Sequence, residues 1–159
     1  MNTYSPDEIF QIAEQIERNG IGYYRKACEI ACGSERKKLF KELENMERQH
    51  LEDFIKIRQE FKADAADTPL DVNGEAGLYL SAIANSNVFV PDKDPAESIG
   101  AGCDIDKIIE RAIDMEKNSI IFYIGLKDLV ISKAGKRKVE SIIQQEIKHI
   151  LMLNERILK

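Results

Sequence analysis

Two histidines stand in this chain, and each follows a glutamate by three positions: Glu47-Arg48-Gln49-His50 and Glu146-Ile147-Lys148-His149. On an α-helix, positions i and i+3 share a face, so a carboxylate and an imidazole can converge on one metal ion. Each pair also has a lone glutamate 30 positions before its own glutamate, Glu17 ahead of Glu47 and Glu116 ahead of Glu146. With Glu about a tenth of the residues, four such placements would coincide by chance about once in 10⁴ if positions were independent. The candidate metal ligands are therefore Glu17, Glu47, His50, Glu116, Glu146 and His149. The same six are the candidate catalytic residues.

The spacing acquires meaning once these residues are placed on helices. Ser5, Pro6 and Glu8 form a capping-box start, and the first helix is expected to run to about Cys32, with Gly33 as its stop and Ser34 as the next cap. A second helix is expected from about Glu35 to Lys62. Residues 63–104 hold Pro69, Gly74, Pro91, Pro95, Gly100 and Gly102, with one short apolar segment, Glu75 to Ala84, able to form a few helical turns. Such a stretch is too long for a hairpin and long enough to cross the length of a bundle. A third helix is expected from Asp104 or Ile105 to about Ser132. Lys133-Ala134-Gly135-Lys136 is expected to turn the chain into a fourth helix that runs almost to Lys159.

In each antiparallel hairpin the lone glutamate then lies level with the Glu-x-x-His pair. The midpoints fall at positions 32 and 131, at or beside the expected turns. Both sets would lie roughly 20–25 Å from their turns at the helical rise per residue.

The two hairpins are related to each other. A shift of 99 positions carries Ala13 to Ala112, Glu17 to Glu116, Asn19 to Asn118, Ile21 to Ile120, Tyr24 to Tyr123, Lys37 to Lys136, Glu47 to Glu146 and His50 to His149. Identity at polar positions points to a duplicated hairpin.

Each helix also carries its charge within an apolar seam. The seams are Ala13, Glu17, Gly20, Tyr24 and Ala27; Phe40, Leu43, Glu47, His50, Phe54, Ile57 and Phe61; Ala112, Glu116, Ile120 and Tyr123; and Val139, Ile142, Glu146, His149 and Leu153. Four buried carboxylates without counter-charge would be costly, and two divalent cations balance them.

Composition narrows the classes. The 159 residues fit one domain, 1–159, and the formal net charge of −5 gives no footprint for nucleic acid or an anionic membrane. Arg36-Lys37-Lys38 and Lys136-Arg137-Lys138 read as solvated helix ends. Cys28, Cys32 and Cys103 include no C-x-x-C pair, so neither a zinc ribbon nor a sulfur-ligated iron site is indicated. Cys28 and Cys32, four apart on one expected helix, read as small buried hydrophobes rather than a disulfide. No apolar run is long enough to span a bilayer, and residues 1–6 lack a signal-peptide pattern, so a cytoplasmic protein is expected.

The pattern resembles the ferritin-like di-iron carboxylate family: an all-α four-helix bundle of two hairpins joined by a long crossover, with one Glu from each of two helices and Glu-x-x-His from each of the others. Within it, Glu17 followed by Gly20-Ile21-Gly22-Tyr23-Tyr24, and Glu116 followed by Ile120-Ile121-Phe122-Tyr123, resemble the rubrerythrin branch. The resemblance implies two iron ions, with Mn or Zn as substitutes, Glu47 and Glu146 as bridging carboxylates, and Tyr24 and Tyr123 beside the ligands or simply within the seams. It implies an oxidoreductase that reduces peroxide or reacts with dioxygen in protection from oxidative stress, working as a homodimer. Iron handling with ferroxidase-like chemistry and a metal-stabilised structural bundle are the alternatives.

Two departures from that branch matter. Rubrerythrins carry a further Glu three residues after the third-helix ligand, where this chain has Ser119. They also carry a rubredoxin domain, absent here, so electrons would come from a separate donor protein.

Overall fold

The computed structural model describes residues 4–64, 74–84, 95–100, 102 and 104–157. Five α-helices and no strand occur among them: α1 (Pro6–Ile30), α2 (Ser34–Asp64), α3 (Glu75–Ala84), α4 (Ile105–Leu129) and α5 (Lys133–Ile157), with a 3-10 turn at Pro95–Ser98. The start of α1 is as expected. The Glu8 amide donates to Ser5 Oγ at 3.3 Å, and the Ser5 amide donates to the Glu8 carboxylate at 2.7 Å. Asp104 caps α4 by accepting from the Asp106 amide at 3.1 Å.

Both hairpin turns differ from expectation by a few residues. α1 ends at Ile30, and Gly33 leads into α2 instead of closing α1. Its φ of +93° is open to glycine, and its carbonyl accepts the first bond of α2 from the Lys37 amide. The second turn is Val130-Ile131-Ser132, and Lys133 to Lys136 form the opening turn of α5. Ser132 decides this: its hydroxyl accepts from the Gly135 amide at 3.0 Å and its carbonyl from the Lys136 amide at 2.9 Å. Residues 36–38 and 136–138 are exposed near the starts of α2 and α5.

The cysteine reading is also corrected. Cys32 lies past the end of α1 and is exposed, and Cys28 is half-buried with its thiol donating to the Lys37 carbonyl. Cys103 lies outside the described residues.

α1 pairs with α2 and α4 with α5, and α1 runs antiparallel to α4, so Tyr24 reaches Glu116 while Tyr123 reaches Glu17. The two hairpin turns therefore lie at opposite ends of the bundle. Arg58 ties the hairpin of α1 and α2 together, bonding Asp7 and Glu14 at 2.8 Å each. Glu44, buried, accepts from Arg25, Lys41 and Arg48.

The apolar interior is divided in two. One compartment holds Ile9, Phe10, Phe54, Ile57, Phe122 and Leu126; the other holds Tyr23, Ala27, Phe40, Leu43, Ile109 and Leu153. The band between them is the Glu/His set. Of the seam residues, Ile120 is only half-buried, and Ser119 takes the inward place instead.

The segment between α2 and α4 passes from one compartment to the other: Leu80 of α3 belongs to the first and Ile99 to the second. α3 packs on α4 at Gly125, where an added Cβ would come within 2.6 Å of the Tyr79 ring, and the Tyr79 hydroxyl donates to the Ile121 carbonyl. This is the expected crossover. Among the described residues, no helix is long and apolar enough to cross a membrane.

Candidate metal centre

The structure brings all six sequence-predicted residues together, each nearly or wholly removed from solvent. They form two overlapping sets. Glu17, Glu47, His50 and Glu146 make one; Glu47, Glu116, Glu146 and His149 make the other. Within each set the ligand atoms lie within 4.8 Å of one another. Glu47 and Glu146 belong to both, so the two Glu-x-x-His carboxylates are the shared ones. Glu17 and Glu116 each belong to one.

In both histidines Nδ1 is the ring nitrogen that faces the carboxylates. His50 Nδ1 lies 3.1 Å from Glu146, 3.2 Å from Glu47 and 3.6 Å from Glu17. His149 Nδ1 lies 2.7 Å from Glu146, 3.3 Å from Glu116 and 4.0 Å from Glu47. The rings are nearly parallel, with centroids 5.5 Å apart.

This donor set fits two metal ions. His149 Nδ1 and Glu146 Oε2 are buried with no hydrogen-bond partner among the described residues, close in space but not aligned for a mutual bond. Buried polar atoms are rarely left so, and a cation supplies the missing partner. Carboxylate oxygens with one imidazole per position suit Fe and Mn, and accept Zn.

The metal-free electrostatics carry the same message. Burial, then the charge of Glu146, raises the Glu116 carboxyl to about 7 and also raises Glu17. Burial, with Glu116 and Glu17, holds Glu47 well above the carboxylate range. For His149, burial opposes protonation, but Glu116 and Glu146 outweigh it and lift the imidazole to about 10; His50 is raised in the same way. Without metal, the cluster must hold protons to survive burial.

Three further features complete the site. The hydroxyls of Tyr24 and Tyr123 cross between hairpins: Tyr24 donates to Glu116, and Tyr123 donates to Glu17. Burial and the surrounding carboxylates hold both phenols well above their ordinary value, so they remain donors. Gln145, missed in the sequence, places Oε1 3.3 Å from His50 Nε2; the residue 99 positions earlier is Met46, one of many differences between the hairpins and no signal by itself. Gly20 lies against Glu47, where an added Cβ would sit 2.9 Å from Oε1.

Gly20→Ala is accordingly expected to keep the helical fold, because only a side-chain end must shift, while moving a shared carboxylate. Metal affinity should fall by about tenfold or more, and isothermal titration with zinc checks it; wild-type affinity would contradict the placement of Glu47.

No family model and no curated protein matches the sequence. Among solved structures, the chain is similar to a candidate ferritin-like diiron-carboxylate protein of Thermotoga maritima, with 27% sequence identity and a TM-score of 0.70 over 98% of this chain and 95% of that one. The helical architecture, the crossover and this likeness along nearly the whole chain give the fold: a ferritin-like helical bundle.

Proposed function

We propose that the chain, acting as a single domain, is a di-iron oxidoreductase of rubrerythrin type that reduces peroxide or reacts with dioxygen in the cytoplasm. The observation that carries this reading is the pair of overlapping carboxylate and imidazole sets joined by Glu47 and Glu146. Glu17 and His50 would complete one iron position, Glu116 and His149 the other. When bound, two ferrous ions supply the two electrons that cleavage of an O–O bond requires.

The chain's own residues supply the setting. Tyr24 and Tyr123 orient the two unshared carboxylates and keep hydroxyl protons next to them. The apolar compartments on both sides exclude water from the band. Electrons for re-reduction come, on this reading, from a separate donor protein.

One observation favours a second reading. Ser119 stands where rubrerythrins carry an additional carboxylate, and its hydroxyl is turned to the Met115 carbonyl of its own helix at 3.0 Å. A site without that carboxylate suits ferroxidase-like iron handling with dioxygen as oxidant. Stopped-flow oxidation of the anaerobic, ferrous-loaded protein separates the two. The rubrerythrin-type reading expects peroxide to oxidise it at least about tenfold faster than dioxygen, a barrier difference of about 1.4 kcal/mol. Dioxygen at equal or greater rate, with mineral formation, assigns iron handling, and a protein that takes up only zinc assigns a structural metal.

A further inference from the structure

The 99-residue repeat exchanges the two metal positions, and an unbroken repeat would make them equivalent. The far nitrogens of the two imidazoles break it. His50 Nε2 faces Gln145 Oε1 at 3.3 Å, while the Gln145 amide nitrogen faces the Ser141 carbonyl at 3.4 Å and the Ser141 hydroxyl at 3.5 Å. A carbonyl only accepts, so the amide nitrogen belongs on that side and the amide oxygen on the histidine side. In the neutral imidazole that a metal ligand must be, the proton of His50 then resides on Nε2, and the Nδ1 lone pair is left facing Glu17, Glu47 and Glu146.

His149 has no such support. Its Nε2 is buried and has no hydrogen-bond partner among the described residues. The repeat puts Met46, half-buried, in the place of Gln145, and a thioether is a weak acceptor. An imidazole that donates its far N–H is fixed in tautomer and orientation and is a more basic ligand. Loss of such a partner typically lowers metal affinity 10- to 100-fold, by about that magnitude.

We propose that the two metal positions are unequal and fill in order, the Glu17/His50 position first, with Gln145 as the positioning residue that sets the order. This rests on the reading of the six residues as two metal positions. It concerns affinity, so it can be tested without turnover.

Zinc, which is redox-silent, is titrated into metal-free full-length protein at fixed pH with a competing chelator and followed calorimetrically. Wild type is expected to bind two zinc ions in steps at least about tenfold apart. Gln145→Met should weaken the first step by about tenfold or more and merge the two, whereas Gln145→Glu, which keeps an acceptor, should restore the separation. Met46→Gln should tighten the second step, and it reports independently should Gln145→Met fold poorly. In zinc-loaded wild type, proton–nitrogen NMR should show a hydrogen-bonded Nε2–H for His50 alone, lost in Gln145→Met.

Two equal steps in wild type, or an undiminished separation in folded Gln145→Met, would overturn the proposal and leave the dinuclear reading intact. Failure of wild type to bind zinc or iron at all would overturn the dinuclear reading itself.

Discussion

Glu47→Ala or Glu146→Ala will abolish retention of both metal ions, whereas Glu17→Ala or Glu116→Ala will leave one per chain. The difference follows from membership: Glu47 and Glu146 belong to both ligand sets, Glu17 and Glu116 to one each. With a shared carboxylate gone, each position loses an oxygen ligand and two cations face each other with one bridging charge fewer. With an unshared one gone, the other position keeps all four of its residues. The fold should persist, because alanine is the strongest helix former and the substitution removes a buried charge. Metal per chain, measured after iron loading and desalting, with far-ultraviolet circular dichroism as the fold control, decides it. Two ions retained by either shared-site variant would sink the ligand assignment.

The metal-free protein will be most stable near pH 5 and will lose stability towards pH 8, while the loaded protein will not. Glu116 has its carboxyl raised from 4.5 to about 7 by burial and by Glu146. Between these values the unfolded chain has released a proton that the folded chain retains, so stability falls as pH rises through the window and the loss is complete above it. Glu17 and Glu47 shift in the same direction. His149, with burial outweighed by Glu116 and Glu146, is raised from 6.5 to about 10; its contribution is complete below 6.5 and disappears as pH rises to about 10.

On the acid side Glu44 sets the limit. Burial acts against it, but Lys41, Arg48 and Arg25 bring it to about 2, so its contribution is lost as pH falls from 4.5 towards 2. Glu116 by itself contributes on the order of 3 kcal/mol to the loss, or roughly 10 °C in melting temperature for a domain of this size. Metal requires deprotonated ligands, so its stabilisation grows over the same range. Thermal melts of chelated and loaded protein at pH 5 and pH 8 test this. A metal-free protein that melts higher at pH 8 than at pH 5 would refute the sign, and identical melts of the two forms at pH 8 would refute the role of the metal.

The candidate set of six was legible in the sequence because each relation within it is local to one hairpin. Helical period places Glu47 with His50, and antiparallel return places Glu17 level with Glu47. The shift of 99 then repeats both. The relation between hairpins was not legible in this way. That Tyr24 reaches Glu116 and Tyr123 reaches Glu17 depends on how the crossover sets α1 against α4, and no period within either hairpin encodes it.

The turns show a different limit. The hairpin register was right to a few residues, but Ser132 as a cap starts α5 before Gly135, where composition alone read a turn. Cys32, placed by its spacing from Cys28 on a longer α1, falls past the helix end and is exposed. Gln145 was hidden because an amide on a helix edge acquires its role only from the imidazole facing it across the α2–α5 seam.

The sharing of Glu47 and Glu146 and the crossed tyrosines also bear on ancestry. One hairpin carries three of the six candidate ligands, one shared carboxylate, and a tyrosine whose acceptor lies in the other half. A lone hairpin could complete nothing, but two identical copies facing each other across a two-fold axis could complete everything. The gene for such a hairpin would have encoded a self-associating chain with two identical metal positions, and any change at one would have appeared at both. Joining the copies end to end would remove that constraint, and Gln145 where the repeat has Met46 is the kind of difference that only a fused chain can keep.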